Sequence, residues 1–496
     1  MSKQKKTFMD DRDFDALLAH SVPELPPEDI VAQTVPGRKA LRRIIIGYLL
    51  YTFIIHGIWL DLLLPTIGQI LVLLGFRALQ HENRWFNFCY MLEGFHAIFL
   101  FGQMILNATI LDFPPDTVST DRILLTIQTL IVTLSLFCFW RGLRAVQKKM
   151  GIRSKAIAVL ALLGWNLLIN GMGFLQLTGE YSYNSLYMLA VLLFSFVIIL
   201  WMIARLAKAL DETGYVLQPA PVQISDRVFT LVIVAVLVIG CSCGHLFFSS
   251  YDMAWQSVDT TAAPADDETK AHLIALGFPE DILNDLTPED LARLSDAEQV
   301  VVNVTLKNSA EPNTYDDPYD IQLTTIVVRL PGDMPHVAVL YHFQWLVSPD
   351  FYGTEALYLL PAYIESPSWH LDGALTGRLL YDDANETWTA DYYSFENKTL
   401  TSEIFTSMPP STNIYANFAF PNSGTNQRGY ITYTVTSVDG VQTGYSQMTY
   451  IHQDQRFIYP VETADSYSIF SINGPFESMQ PAPLIFDLTS GDIQLQ

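Results

Sequence analysis

Long apolar runs dominate the first half of the chain, and short runs of alternating polar and apolar residues dominate the second half. Most of the apolar runs approach the roughly 20 residues that an α-helix needs to cross about 30 Å of hydrocarbon. They predict seven spans, near 44–60, 62–79, 86–108, 123–142, 156–177, 185–204 and 228–248. We therefore expect an α-helical transmembrane bundle over 44–248, preceded by a cytoplasmic tail over 1–43.

The run from Ile44 to Phe76 is too long for one ordinary span, and the basic residues predict that it crosses twice. Lys and Arg concentrate in cytoplasmic loops. The loop between the fourth and fifth runs contains basic residues and no acid: Arg141, Arg144, Lys148, Lys149, Arg153 and Lys155. Basic residues also flank Ile44–Phe76 on both sides, so a single span would leave one group outside. A tight hairpin at 56–61 resolves this conflict, with the amino terminus inside and the carboxy terminus outside.

The second half predicts a separate β-rich domain. Residues 249–299 form a linker with short helices, in which Thr287 is suited to an N-cap and Pro288 to the first helical position. From Val300 the apolar period changes to two, with turns of Pro, Gly, Asn and Asp between the runs. About eight to ten strands without a long helix indicate an antiparallel sandwich or jelly roll over 300–496. Asp439-Gly440 is typical of a hairpin turn.

Charge separates the two halves as sharply as hydropathy does. Residues 1–248 contain 20 Lys and Arg against 17 Asp and Glu, whereas residues 249–496 contain 8 against 34, a net charge of −26. So acidic a domain repels nucleic acid, which excludes nucleic-acid binding as its role. The acidic half has no cysteine, as in Gram-positive surface proteins that rely on a large core. Four Asn-x-Ser/Thr sequons are therefore interpreted as accidental: Asn107, Asn303, Asn385 and Asn397.

Two segments near the amino terminus resemble a known group of proteins. One runs from Asp61 through Leu64-Pro65, Gly68, Leu71 and Gly75-Phe76-Arg77 to Glu82-Asn83 and Trp85-Phe86; the other contains Phe14-Asp15, Leu17-Leu18, Pro23-Glu24, Pro26-Pro27 and Arg42-Arg43. They are similar to uncharacterised multi-pass membrane proteins of anaerobic Gram-positive bacteria, mainly over residues 14–86. The resemblance implies a bacterial cell membrane and a cytoplasmic amino terminus. It implies no activity.

The third span contains the most informative polar residues. On a helical wheel they fall within an arc of about 80°: Glu93, His96, Gln103 and Asn107. Polar groups in a span face protein or water, because each is costly against lipid. One interpretation is structural, with the stripe bonding to Asn166 and Asn170 on the fifth span. The alternative is a polar pathway or a proton or ligand site at Glu93 and His96.

Three further patterns have a structural and a functional interpretation each. Cys241 is interpreted as one of several ordinary small residues at the outer end of a span; the alternative is a candidate lipidation site, because Val238-Ile239-Gly240 before it resembles a bacterial lipobox. The carboxylates in 316–320 and at Asp382-Asp383 suit either calcium or solvated turns. Three tryptophans form either a sugar-stacking face or part of the core: Trp345, Trp369 and Trp388.

Together these patterns favour a non-enzymatic protein that presents an acidic ectodomain for envelope sensing or for binding an external ligand or protein. No nucleophile elbow, phosphate loop or metalloprotease motif appears, and no cofactor or metal is implied. One alternative is a transporter, or a transport accessory, that uses the third-span stripe. Another is a signalling protein whose tail docks a cytoplasmic partner through Phe14, Leu17 and Leu18.

Overall fold

The protein divides into two compact units in a computed structural model. The structure describes residues 36–52, 60–111, 118–149, 151, 156–177, 186–212, 224–258, 267–308, 320–384, 386–400, 411–466, 474–490 and 492–495. The first unit comprises Met1–Leu106 and Asp112–Gly240, and the second comprises Asn107–Leu111 and Cys241–Gln496. The first is helical and the second is mainly an antiparallel β structure, as the sequence predicts.

Long apolar helices account for the first half of the chain. They are α1 Pro36–Thr52, α2 Leu60–Leu79, α3 Arg84–Leu106, α4 Val118–Lys149, α5 Ile157–Leu177, α6 Leu186–Glu212 and α7 Asp226–Phe248. By length and composition, six segments of the described chain are able to cross a membrane: Leu62–Leu79, Arg84–Leu106, Ile123–Lys149, Ile157–Leu175, Ala190–Lys208 and Asp226–Phe248. The described part of α1 has 17 residues and is not among them.

Side-chain caps fix where two of these helices begin. The Asn83 side-chain oxygen accepts hydrogen bonds from the backbone N–H groups of Trp85 and Phe86, both at 3.1 Å. The Ser225 hydroxyl accepts one from the backbone N–H of Val228 at 3.3 Å. Both bonds satisfy N–H groups of the first helical turn, which have no partner inside the helix. α3 and α7 therefore start immediately after polar residues at the edge of an apolar run.

Helices α1 and α2 pack against each other in antiparallel directions through glycine. A Cβ atom added to Gly68 would lie 2.7 Å from the backbone oxygen of Gly47 and 2.7 Å from the backbone nitrogen of Tyr51. Farther along the same interface, a Cβ added to Gly75 would lie 2.4 Å from the Ile44 side chain. Small residues of this kind let helix backbones approach closely in membrane proteins.

Basic residues and their acidic partners collect at one end of the helical unit. The guanidinium of Arg43 in α1 lies 2.7 Å from the carboxylate of Asp226, the first residue of α7, and Arg77 near the end of α2 lies 3.7 Å from it. Lys149, the last residue of α4, lies 2.9 Å from Glu82, just before α3. The start of α1, α3 and α7 and the end of α2 and α4 therefore share this end.

The amino-terminal prediction differs from the structure at one boundary. Residues 36–43, which the sequence assigns to the cytoplasmic tail, are already helical in α1. Pro36 is the first residue of this helix, where a proline is tolerated. The tail anchors Phe14, Leu17 and Leu18 and the turn residues 56–59 lie outside the described residues.

Two antiparallel sheets form the β region. Their strands are β1 Gln256–Ser257, β2 Gln299–Lys307, β3 Ile321–Arg329, β4 His336–Trp345, β5 Glu355–Leu360, β6 Trp369–Asp383, β7 Glu386–Ala390, β8 Ser394–Leu400, β9 Ser411–Phe418, β10 Thr425–Ser437, β11 Thr443–Gln453, β12 Phe476–Met479, β13 Leu484–Asp487 and β14 Gln494–Leu495. The first sheet has the order β1-β7-β6-β10-β4-β3-β2. The second has the order β14-β13-β11-β5-β9-β8, and β12 also pairs with β11.

The main core lies between the two sheets, and the alternation of side chains along β4 shows why. Val337, Val339, Tyr341 and Phe343 are buried against residues of the second sheet, such as Leu357. Successive side chains of a strand point to opposite faces, so a period of two places one apolar set in this core. The β region is therefore a sandwich, as the sequence predicts.

Short helices cover the other face of the first sheet. They are α8 Asp267–Ala275, α9 Glu280–Asp285 and α10 Pro288–Arg293, and a fourth short helix, α11 Ala362–Glu365, follows β5. Leu273, Ile282 and Leu291 of α8–α10 pack with Ala338 and Leu340, the residues of β4 that face away from the sandwich core. The Thr287 hydroxyl accepts a hydrogen bond from the backbone N–H of Asp290 at 3.1 Å, so the predicted cap is confirmed.

The structure corrects three details of the predicted β domain. Asp439-Gly440 does not close a hairpin, because β10 belongs to the first sheet and β11 to the second, so the turn carries the chain between sheets. The described chain contains fourteen strands rather than about eight to ten, because several are only two to four residues long. The predicted linker contains β1, which pairs with β7, and the preceding Trp255 packs on the sandwich core.

Candidate functional site

Glu93 is the center of a buried polar cluster in the helical unit. Its side chain in α3 is 1% exposed. The Tyr48 hydroxyl of α1 donates to Oε1 of Glu93 at 3.0 Å, and the Ser135 hydroxyl of α4 donates to the same oxygen at 2.6 Å. Gln69 of α2 donates through Nε2 to Oε2 of Glu93 at 3.0 Å and to its backbone carbonyl at 3.1 Å. One carboxyl group therefore joins four helices.

His96 extends the cluster by one helical turn. Its Nδ1 lies 3.5 Å from Oε2 of Glu93, a long contact, and its Nε2 lies 3.2 Å from the Tyr51 hydroxyl. The Tyr51 and His96 rings meet edge to face with centroids 5.2 Å apart. Gln128 of α4 donates a hydrogen bond to the Tyr51 hydroxyl. The cluster thus forms a continuous polar chain from Ser135 to Gln128.

The predicted stripe is only partly present as one group. Glu93 and His96 are buried together, Gln103 is half-buried, and Asn107 lies just beyond the end of α3 with an exposed side chain. The backbone carbonyl of Asn107 accepts a hydrogen bond from the Val461 N–H at 2.7 Å. The helical wheel assumes that the helix continues to Asn107, but α3 ends at Leu106.

In the described residues, the asparagines of the fifth span bond to groups other than the third-span stripe. Asn170 of α5 accepts a hydrogen bond from the Thr129 hydroxyl at 2.9 Å and donates one to the Asn166 carbonyl at 2.8 Å. Asn170 therefore joins α5 to α4, whereas its bond to Asn166 stays within α5. Hydroxyl and amide groups on α1, α2 and α4 satisfy Glu93 instead, because α3 packs beside α2 and α4 in the described bundle.

The geometry of the Glu93 cluster suits a structural role. Each carboxylate oxygen has at least one close donor, and the donors come from different helices, so the carboxyl group acts as a polar tie between them. A buried donor or acceptor that loses its hydrogen-bond partner destabilises the fold by about 1–3 kcal/mol. Removal of one side chain of the cluster therefore also affects the side chains that bond to it.

Cys241 lies in the last third of α7, where it is half-buried. The helix is continuous from Asp226 to Phe248. Cleavage before Cys241 would require this helix to unwind and would separate the β region from the preceding spans. Lipidation of Cys241 stays a prediction.

A cleft in the β unit is the second candidate site. It has a volume of about 370 Å³, within the range of small-ligand pockets. The residues that matter for its chemistry are Asp252, Thr287, Arg378, Asp391 and Tyr393. The Arg378 guanidinium donates to the backbone carbonyls of Asp285 at 2.7 Å and Leu286 at 3.2 Å. The cleft thus combines one fixed cation with two carboxylates and an exposed aromatic ring.

A second buried acid lies inside the sandwich. Nδ1 of His452 in β11 lies 2.9 Å and 3.1 Å from the two carboxylate oxygens of Glu355 in β5, and both side chains are buried. Burial raises the pKa of Glu355, against the opposing effect of His452. Burial alone would lower the pKa of His452, but the charges of Glu355, Asp454 and Glu477 raise it above its ordinary value.

The predicted calcium and sugar sites do not appear in the described residues. The Asp382 carboxylate accepts hydrogen bonds from Arg428 at 3.1 Å and Asn426 at 2.7 Å; burial opposes them, but these partners lower its pKa. No group of three or more His, Cys, Asp or Glu side chains in the described chain is arranged to hold a metal ion. Residues 316–319 lie outside the described residues. Trp345 and Trp369 are buried in the sandwich core, which confirms the packing interpretation for these two, whereas Trp388 stacks on Tyr381.

Comparison with known proteins gives no family. No protein-family model and no curated protein sequence matches the chain. Among 28 matching chains of solved structures is one described as a pore forming protein, with 6% sequence identity and a TM-score of 0.18. The match covers 40% of this chain and 95% of that chain. A TM-score this low carries no argument about fold or function.

Proposed function

We propose that this chain is a non-enzymatic, multi-pass protein of the cell membrane that holds an acidic β sandwich outside the cell and binds an external ligand or protein there. The proposal has three parts: seven membrane crossings, an external β domain and a ligand site in the cleft. The packing of α1 against α2 supports the first part, and the basic residues at one end of the helical unit support the second.

Seven crossings follow if α1 and α2 form the predicted hairpin. Their antiparallel packing at Gly47 and Gly68 supports this hairpin, because adjacent antiparallel helices in a bilayer are two crossings. Ala40, Ile44 and Tyr48 of α1 are buried in the same apolar core as α2–α6. We therefore infer that α1 is a span rather than a surface helix.

The orientation of the helical unit in the membrane follows from the end at which its basic residues collect. Arg43, Arg77 and Lys149 lie at the same end of the bundle as the start of α7. Aromatic rings accompany them: the Arg141 guanidinium lies 5.0 Å from the center of the Trp85 ring. Tryptophan and basic residues are typical of the cytoplasmic membrane interface. Because α7 leads away from this end, the β domain that follows it is assigned to the outside.

Cysteine labelling in intact cells tests this topology. In a background without the four native cysteines, we expect a membrane-impermeant maleimide to label Gly57→Cys and Ala271→Cys from outside. Lys148→Cys should react only after permeabilisation. Labelling of position 148 in intact cells, or protection of position 271, would contradict the proposed orientation. Protection of position 57 alone would contradict the hairpin.

The cleft carries the binding part of the proposal. Its mixed charge suits a small polar ligand or a peptide segment that bears both charges. Ala254 lines the cleft and is exposed, so Ala254→Trp should fill it without disturbing the core. We expect this variant to reproduce the phenotype of a gene deletion at normal abundance, whereas Ala271→Trp, on the exposed surface of α8, should not. Normal function of Ala254→Trp would contradict a ligand site in the cleft.

One observation favours a second candidate, a transporter or transport accessory. Glu93 is an ionisable group buried among spans, and such groups often mark proton or ion pathways. The Glu93→Gln variant described below separates this function from the structural role. Docking of a cytoplasmic partner by the tail stays a prediction.

A further inference from the structure

Phe457 is an exposed aromatic side chain in the loop that follows β11. It is 73% exposed, although phenylalanine is usually buried. Its ring stacks on the His245 ring, with centroids 4.8 Å apart and planes 16° apart. His245 lies in the last turn of α7, an apolar segment long enough to cross a membrane. The loop therefore touches the end of a candidate span.

Hydrogen bonds fix this loop, 454–463, at both ends. The Asp454 N–H donates to the Pro475 carbonyl at 3.0 Å, and the Val461 N–H donates to the Asn107 carbonyl at 2.7 Å. In between, Arg456 donates to the Asp350 carbonyl at 3.3 Å. The position of Phe457 beside α7 is thus built into the β unit.

The surroundings of Phe457 are apolar and exposed. Leu246 and Phe247 at the end of α7 are each 74% exposed. Leu346 and Val347, which are also exposed, begin the loop 346–351 that Arg456 contacts through Asp350. Apolar side chains exposed together usually mark a binding surface.

We propose that loops 346–351 and 454–463 form a lipid-contacting edge of the β domain, with Phe457 in the interfacial layer of the bilayer beside the end of α7. Phenylalanine with neighbouring arginine and tyrosine suits this layer, in which an apolar ring is buried and a polar group stays wet. The proposal rests on α7 crossing the membrane, but it holds for either orientation of the chain.

The contact is hydrophobic rather than electrostatic. The domain carries many acids, including Asp350 and Asp454 in these two loops, and Arg456 is the one basic residue in 346–351 and 454–463. Anionic headgroups attract basic segments and repel acidic ones. Zwitterionic lipid should therefore support the contact fully, and added salt should not weaken it.

Depth-dependent quenching tests the contact on the full chain in phosphatidylcholine nanodiscs. Phe457→Cys is labelled with an environment-sensitive fluorophore in a background with Cys241 and Cys243 replaced by Ser. Lipids that carry a nitroxide near the headgroup should quench it at least about twofold, the response expected of a group in the interfacial layer. Leu346→Cys, in the adjoining loop, provides a second position should the Phe457 variant fail to fold.

Two matched positions make the result decisive. Val438→Cys is also exposed but lies beyond the opposite end of β11, an 11-residue strand about 35 Å long at about 3.3 Å per residue, and should not be quenched. Val236→Cys, exposed in the middle of α7, reports whether α7 lies in lipid when the nitroxide is carried deep on the acyl chain. If position 236 is quenched but positions 457 and 346 are quenched no more than position 438, the lipid contact of the loops is wrong and α7 still lies in lipid. No quenching at 236 would overturn the span as well.

Discussion

The two units of this protein each bury one glutamate beside a histidine, and they satisfy it in different ways. In the helical unit, neutral donors from three other helices hold Glu93, and His96 remains at 3.5 Å. In the sandwich, His452 contacts both oxygens of Glu355 at 2.9 Å and 3.1 Å.

The difference predicts which acid depends on the protonation of its neighbor. Neutral hydroxyl and amide donors do not titrate near neutral pH, so the hydrogen bonds that they donate to Glu93 should not change with pH. The Glu355 carboxylate depends on a histidine, the side chain whose charge changes most readily near neutral pH. The first site is therefore expected to be structural at every ordinary pH, whereas the second should respond to pH.

Removal of the Glu93 carboxyl group is expected to have the largest effect. Glu93→Leu removes the acceptor of the Tyr48 and Ser135 hydroxyls and leaves Gln69 only the backbone carbonyl of residue 93. We expect the free energy of unfolding to fall by about 3 kcal/mol or more, because several buried donors lose a partner together. Abundance in the membrane and thermal stability in detergent measure this loss.

Glu93→Gln is the matched control, because it keeps the shape and one acceptor oxygen. We expect nearly normal abundance, thermal stability and cellular function. A variant that accumulates normally but has lost function would contradict the structural role and favour the transporter, since only a proton or ion site requires the ionisable group.

The sandwich should lose stability as the pH rises. The folded-state pKa of His452 is raised, so its stabilising contribution is complete below the ordinary histidine value of about 6.5 and is lost as the pH passes the folded value. Glu355 also has a raised pKa, so the folded state holds its proton more tightly than the unfolded state does. The stability that this proton contributes is lost as the pH rises above about 4.3. Between pH 6 and pH 8 we therefore expect the free energy of unfolding of the sandwich to fall.

Hydrogen exchange of peptides from β5 and β11 in the full chain measures this loss locally. The control is the double variant Glu355→Gln/His452→Gln, which replaces the pair by neutral side chains that still form hydrogen bonds. In the double variant, the free energy of opening of these strands, taken from exchange protection relative to the unfolded rate at each pH, should no longer depend on pH. An unchanged pH dependence in the double variant would assign the effect to another group.

The fold was predictable where the pattern of residues is local. Apolar runs identify the helices, and alternation identifies long strands such as β4 and β10, because each signal needs only a few neighbouring residues. The sheet to which β11 belongs was not predictable from Asp439-Gly440, since the same turn residues serve within one sheet or between two. Short strands such as β13 were missed because four residues give too little alternation to count.

The Glu93 site shows the same limit. Sequence identifies Glu93 and His96 as buried polar residues, because both interrupt an apolar span. It does not identify Tyr48, Gln69 or Ser135, since a single tyrosine, glutamine or serine in a span is common and gives no direction. Only the packing of α1, α2 and α4 around α3 brings these three side chains to one carboxyl group.

Replacement of His96 should have the smallest effect and separates the two sites most finely. The 3.5 Å contact with Glu93 is too long for a strong hydrogen bond, and Glu93 keeps its three closer donors without it. His96→Gln retains a group that can bond to the Tyr51 hydroxyl, so we expect the free energy of unfolding to change by less than about 1 kcal/mol. Thermal unfolding in detergent at pH 6 and pH 8 should give the same small difference from wild type. A large loss at either pH would show that His96 is a true partner of Glu93, as His452 is of Glu355.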